Sequence, residues 1–158
     1  HVVDFFCTRG LMTQISLIEV MKKAAQCDSL GVVKYCLDRN ISYVVALEQV
    51  ATSHGVRVLN YILDTYTITN SAITDSILGA SGFQGHYEMA KTLLTRIPTL
   101  NPNTLLTSGS HAGHIRCVKL ALEHGAVNVE HAIDQALKQK RFNLVGFLRH
   151  YMATGLIE

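Results

Sequence analysis

The segment RCVKLALEHG, residues 116–125, carries the pattern that decides the fold. Its apolar residues form two pairs four positions apart, Cys117/Val118 and Ala121/Leu122. This spacing places them on one face of an α-helix, whereas a half-buried β-strand would alternate apolar and polar residues. The segment therefore predicts an amphipathic helix.

The same frame recurs along the whole chain. It appears as HVVDFFCTRG from His1, GVVKYCLDRN from Gly31, RVLNYILD from Arg57, EMAKTLLT from Glu88 and NLVGFLRH from Asn143. Starts at 1, 31, 57, 88, 116 and 143 give spacings of 30, 26, 31, 28 and 27 residues, and a period of this size is typical of repeat architectures. Gly10, Asn40 and Gly125 share the position just past the frame, where a left-handed residue can close a helix.

A second helical element precedes each later frame. One large apolar position is shared by Met21, Leu47, Leu78, Leu106 and Ile133. Two mostly small positions follow, Ala24, Val50, Ser81, Gly109 and Ala136, and then Ala25, Ala51, Gly82, Ser110 and Leu137. Small side chains let a helix approach its neighbours closely. Each repeat is therefore predicted to be a helix pair, whose second helix begins near residue 30, 56, 87, 115 or 142.

On these residues the chain resembles the ankyrin-repeat family, in the short, divergent form seen in microbial and viral proteins. The family signature of two alanines, Gly-His, an acid and two apolar residues is best matched by QGHYEMAKTLL from Gln84 and AGHIRCVKLALEHGA from Ala112. The family's Thr-Pro-Leu-His start is missing, and Lys22, Glu48, Gly79, Thr107 and Asp134 stand where its histidine would be. The expected fold is all-α, an ankyrin-like α-solenoid of about five helix pairs preceded by half a repeat. A different α-solenoid and an irregular helical bundle remain as alternatives.

The repeats are expected to form a single domain over residues 1–158. A half repeat would cover 1–10, and full repeats would cover approximately 15–40, 43–66, 71–97, 102–125 and 129–152. In the half repeat, Val2, Val3, Phe5 and Phe6 have no preceding helix to cover them. The chain is therefore expected to be the C-terminal part of a longer array, and its N-terminal edge is expected either to self-associate or to fray.

Composition narrows the class of protein. Apolar residues make up 48% and charged residues 16%, with a formal net charge of +2, which favours a packed, soluble body over a disordered segment. No apolar run reaches the roughly 18 residues of a membrane span, so no membrane contact is expected. The four cysteines Cys7, Cys27, Cys36 and Cys117 show no close pair. They are interpreted as reduced, mostly buried thiols of a cytoplasmic protein, in the host cytoplasm if the source is a virus or an intracellular pathogen.

No catalytic, cofactor-binding or metal-binding residues are predicted. The resemblance implies that His86 and His114, at the Gly-His position, bond the turn between helices. His111 lies three residues before His114, but a zinc site needs three or four ligands. The glycine-rich segment GASGFQG at 79–85 matches neither the dinucleotide nor the phosphate-loop fingerprint, and it is interpreted as small-residue packing plus the repeat turn.

A basic group near the C-terminus does not predict nucleic-acid binding. It consists of Lys138, Lys140, Arg141, Arg149 and His150. The group lacks the interleaved aromatic residues on which bases stack. It is instead interpreted as the polar outer face of a terminal repeat.

The resemblance also implies a partner-binding surface, because residues flanking the small pair of each first helix face a concave groove in that family. The corresponding residues are Lys23, Gln26, Gln49, Thr52, Phe83, Gln84, Ser108, His111, Gln135 and Lys138, with Cys27, Ser53, Ala112 and Gln139 beside them. Phe83 is a large aromatic residue on this polar strip and is a candidate interface anchor; alternatively, its ring folds over Gly79 and Gly82.

The expected function is therefore a non-enzymatic scaffold for a protein partner, such as a pathogen protein that engages host factors. The alternative is a non-catalytic repeat arm of a larger enzyme whose catalytic domain lies outside residues 1–158.

Overall fold

In a computed structural model, the described part of the chain comprises residues 14–50, 52–53, 55–68 and 71–157. These residues form ten α-helices and no β-strand. The predicted half repeat at 1–10, with Val2, Val3, Phe5 and Phe6, lies outside the described residues, as do Cys7 and Gly10. The all-α prediction is confirmed for the described residues.

The helices alternate along the chain as first and second members of pairs. In chain order they are α1 (Gln14–Gln26), α2 (Leu30–Leu37), α3 (Tyr43–Val50), α4 (Val56–Thr65), α5 (Ser71–Gln84), α6 (Tyr87–Arg96), α7 (Pro102–Ala112), α8 (Ile115–Glu123), α9 (Val129–Lys138) and α10 (Phe142–Thr154). The second helices begin at Leu30, Val56, Tyr87, Ile115 and Phe142, which are the predicted starts.

The chain divides into two compact units, His1–Tyr66 and Thr67–Glu158. In the first unit, α1 packs on α2 and α3, and α4 packs on α2 and α3. In the second unit, α5 packs on α6 and α7, α7 packs on α8 and α9, α6 packs on α8, and α9 packs on α10. Within each unit, first helices therefore stack on first helices and second helices on second helices, which is the packing of a helical solenoid.

The core follows the sequence register closely. At the large apolar position Met21, Leu47, Leu78 and Leu106 are fully buried, and at the first small position Ala24, Val50, Ser81, Gly109 and Ala136 are buried. The last pair departs from this pattern, because Ile133 is only half-buried and Leu137 is 39% exposed. Helix α9 packs chiefly on α7 and α10.

Left-handed residues close the helices at regular positions. Asn40 and Gly125 follow second helices with φ of 62° and 84°, as their shared position predicts. Between first and second helices, Asp28, Gly85 and Gly113 have φ of 52°, 77° and 91°. These residues reverse the chain with the positive φ that terminates many helices.

The turn residue Asp28 also joins two consecutive pairs. Its carboxylate accepts hydrogen bonds from the backbone N–H groups of Arg57 (3.3 Å) and Val58 (2.9 Å), at the start of α4. The first N–H groups of a helix have no partner within that helix. Asp28 therefore supplies acceptors that the sequence next to α4 does not.

Cation–π contacts link neighbouring second helices at one register position. Lys34 places its Nζ 4.4 Å from the ring centroid of Tyr61, and Lys119 places its Nζ 5.2 Å from that of Phe147. In both cases the lysine is the fourth residue of its frame and the aromatic residue is the fifth of the next. Each contact contributes about 0.5–1 kcal/mol at an exposed site.

The repeat register places Leu63 and Leu122 at one predicted core position, yet their burial differs. Leu122 is 4% exposed, whereas Leu63 is half-buried, although the second, third and sixth residues of both frames are buried alike. Leu63 is therefore less buried than its predicted core position requires.

Leu122→Ala is expected to lower the free energy of unfolding by about 2–5 kcal/mol, because it leaves a cavity between packed helices. Leu63→Ala should cost less than half as much, because solvent already reaches its side chain. Urea titrations of the two variants, each compared with the parent protein, measure the difference. Equal losses would contradict the burial described above.

Candidate functional site

The first helices of the second unit form an open groove. Its volume is about 670 Å³, and its lining comes from α5, α7 and α9 together with the residues that precede α7 and α9. Four of the predicted partner-binding residues line it: Phe83, Ser108, His111 and Gln135. The groove is therefore the place where the structure brings sequence-predicted residues together.

A close approach of α5 to α7 shapes this groove. A Cβ atom added at Gly82 would lie 2.1 Å from Ser108 Oγ and 3.1 Å from the backbone oxygen of Leu105. Only glycine fits there without displacing a neighbour. The glycine-rich segment 79–85 thus acts in helix packing and in the turn at Gly85, as its sequence indicates.

The close approach sets an aromatic pair at one end of the groove. The Phe83 ring stacks on the His111 imidazole, with 5.6 Å between ring centroids and 29° between planes. The pair leaves Phe83 55% exposed. Phe83 is therefore an exposed aromatic residue of this lining, beside the half-buried His111.

Several polar side chains of the groove are already used by the fold. Asn103 Oδ1 accepts hydrogen bonds from the backbone N–H groups of Val127 and Asn128, both at 2.9 Å. Asn101 Oδ1 caps α7 by accepting from the Asn103 N–H at 3.0 Å. The Ser108 hydroxyl donates to the Thr104 carbonyl at 2.8 Å. These bonds hold the groove wall in place.

Other polar groups in the lining are not used in this way. Asn128 precedes α9 but makes no side-chain capping bond. The Gln135 carboxamide nitrogen lies 3.4 Å from His131 Nε2, at the long end of hydrogen-bond geometry. Thr107 also lines the groove. The groove therefore presents carboxamide and hydroxyl groups beside an exposed aromatic pair.

The groove lining carries no acidic residue, lysine or arginine. The nearest charged residues along α9, Glu130, Asp134 and Lys138, are exposed but do not line the groove. A ligand that enters it meets neutral polar groups, two histidines and one phenylalanine. Electrostatic attraction by formal charge is therefore not built into this surface.

The remaining predicted partner-binding residues lie elsewhere. In the first unit, Lys23, Gln26 and Thr52 are exposed and Gln49 is half-buried. Lys23 Nζ donates to Gln26 Oε1 at 3.1 Å, and Gln26 Nε2 donates to Gln49 Oε1 at 2.9 Å. In the second unit, Gln84 and Lys138 are exposed outside the groove lining. All ten predicted residues thus reach the surface at least in part, but only four share one concavity.

The two histidines at the Gly-His position differ in burial. His86 is 7% exposed and His114 is half-buried, and neither side chain caps the helix that it precedes. A Cβ at Gly85 would lie 2.7 Å from His114 Nδ1, so the His114 ring covers the preceding turn. The side chain of Arg141 covers Gly113 in the same manner. His114 and Arg141 thus pack on the turn of the preceding repeat.

Asn128, His131 and Thr107 belong to the groove but were not predicted from the sequence. Asn128 lies 27 residues after Asn101, and both directly precede a first helix. This shared position is the signal that could have found Asn128. The resemblance drew attention only to residues that flank the small pair.

Two features are absent from the described residues. No group of three or more histidines, cysteines and acids among them is placed to hold a metal ion. None of their helices is both long and apolar enough to cross a lipid bilayer.

Gly82→Ala is expected to destabilise the protein by about 1–3 kcal/mol, because the added methyl group overpacks the contact between α5 and α7. Gly146→Ala is the matched control in α10, where an added Cβ meets no atom within 4 Å. The control should instead stabilise by about 0.5–1 kcal/mol through helix propensity. Urea unfolding of both variants tests the close approach, and a stabilised Gly82→Ala protein would refute it.

The cysteines should differ in reactivity. Cys27 is exposed, whereas Cys36 and Cys117 are buried. Burial raises the pKa of the Cys117 thiol to about 11, so at pH 8 it stays in the protonated form, which is the unreactive one. Iodoacetamide at pH 8 is expected to modify Cys27 in the native protein, and Cys36 and Cys117 only after denaturation. Mass spectrometry of the peptides measures this, and native alkylation of Cys117 at the rate of Cys27 would contradict it.

Comparison with known proteins gives no further assignment. The chain matches no model of a protein family, and no curated protein is significantly similar to it in sequence. The resemblance to ankyrin repeats therefore stays a prediction, which rests on the register of the residues quoted above.

Proposed function

We propose that this chain is a non-enzymatic interaction module of the ankyrin-repeat type, which binds a protein partner through the exposed face of its first helices. The observation that carries the proposal is the stacked pair of Phe83 and His111, with Phe83 55% exposed at the edge of a groove. Aromatic side chains in such settings are enriched among the residues that dominate the energy of protein interfaces.

The arrangement of the second unit supports this proposal. Three stacked first helices, α5, α7 and α9, contribute to one concave surface. Their buried faces are occupied by the core positions, so the groove side chains are available for contact without loss of packing. Repeat proteins commonly use such extended concave surfaces for binding.

The nature of the partner follows from the resemblance. Short, divergent repeats resemble those of microbial and viral proteins, so the proposed partner is a host protein met in the host cytoplasm. Self-association through the edge at residues 1–10 is a second proposed contact.

The proposal is tested with purified protein as bait in extracts of candidate host cells, read by quantitative mass spectrometry. A specific partner should be retained by the parent protein and lost by Phe83→Ala, with affinity reduced at least about tenfold, or about 1.4 kcal/mol. The lost contact is an aromatic anchor, so no change in stability needs to accompany it.

Phe142→Ala is the matched control, because Phe142 is an exposed phenylalanine of the same unit (67%) that does not line the groove. This variant should bind as the parent does, and urea titration confirms that both variants are folded. A partner that binds equally to the parent and to Phe83→Ala would overturn the proposal.

A further inference from the structure

The groove has properties that restrict what it can bind. Its volume of about 670 Å³ lies within the range of about 300–1,000 Å³ that is usual for ligand sites. It runs across three first helices, which pack about 8–10 Å apart in proteins. An extended chain advances about 3.3–3.6 Å per residue, so a segment of roughly five or six residues spans the roughly 16–20 Å between the outer helix axes.

We infer that the groove takes an uncharged segment of a partner polypeptide, which seats one large apolar side chain against Phe83 and His111 and pairs its backbone amides with Thr107, Asn128 and Gln135. The inference rests on the proposed function and specifies its partner. The inference is carried by the stacked ring pair, which lines the groove together with carboxamide and hydroxyl groups that the groove wall does not use.

The lack of lysine, arginine and acidic residues in the groove lining favours an uncharged peptide segment. No acidic residue, lysine or arginine lines the groove, so a charged side chain placed there would lose water without gaining an opposite charge. Burial of a polar or charged group without a partner is costly. A neutral segment avoids this cost, and it is therefore the complement of this surface.

The polar groups of the lining match a peptide backbone. Each residue of an extended segment offers one N–H donor and one carbonyl acceptor, and a carboxamide side chain offers both complementary functions. Asn101, Asn103 and Ser108 are already engaged in bonds within the groove wall. Asn128 and Gln135 have carboxamide atoms that the wall does not use, and Thr107 contributes a hydroxyl.

Nucleic acid fits the same surface less well. The stacked ring pair could accept a base, but binding of single strands also depends on a positively charged path for the phosphates. The groove lining has no lysine or arginine to provide one. A single-stranded oligonucleotide is therefore the competing ligand in the test.

The test selects displayed random peptides of about twelve residues, long enough to cross the groove, on the parent protein after depletion on Phe83→Ala. Recovered peptides are synthesised, and their affinities are measured by fluorescence anisotropy at about 50 and about 500 mM sodium chloride. Recovered peptides should be uncharged around one Trp, Phe, Leu or Met. Their Kd should change less than about twofold across this salt range, because no formal charge pair is formed.

Single-residue variants of the protein test which groove side chains contact the peptide. Phe83→Ala should weaken binding at least about tenfold and Gln135→Ala about three- to tenfold, whereas the control Phe142→Ala should leave it unchanged. Peptides that depend on Phe83 but are acidic or basic, and weaken steeply with salt, would overturn this inference while the proposed function stands. Tighter binding of an oligo-dT strand in the groove would also overturn it. Recovery of no peptide that depends on Phe83 would count against both this inference and the groove as the binding face.

Discussion

Close contact between consecutive first helices is the constraint on which the second unit depends. At the contact of α5 and α7, a glycine faces a serine and a backbone carbonyl with no room for one more carbon atom. Because side chains in a packed interior interdigitate with few voids, this spacing also fixes the rotation of each helix. The large apolar residue one turn earlier is then directed into the core, and the residue that follows the glycine is directed into solvent beside its counterpart in the next repeat.

The same spacing explains why the core could be predicted from sequence and part of the groove could not. The repeat register identified Leu78, Leu106 and the small residues after them, because helical periodicity alone decides which residues share a buried face. It also identified Phe83 and His111 as neighbours in register, although it could not show that their rings stack. Periodicity specifies a face of a helix, but it does not specify side-chain rotamers.

Two groove residues missed by the register, Asn128 and His131, lie at the start of α9, where local hydrogen bonding decides which side chains the fold uses. Asn101 and Asn128 hold equivalent positions, yet Asn101 caps its helix and Asn128 does not. Asn103, in the preceding repeat, bonds the N–H groups of Val127 and Asn128 just before α9. Leu63 shows the same limit in the first unit, since it shares a frame position with the buried Leu122 and yet is only half-buried.

The bonds made by Asp28 and Asn103 have a consequence for how the protein unfolds. Each side chain belongs to one helix pair and satisfies backbone N–H groups at the start of an element in the next. Unfolding of one helix pair would leave those N–H donors without acceptors in the neighbouring pair. The hydrogen bonds therefore add to the free energy by which apolar contacts couple adjacent repeats. Within each unit, local opening should therefore spread to the adjoining pair more readily than apolar contacts alone would require. This coupling favours cooperative transitions over the independent fraying of single repeats.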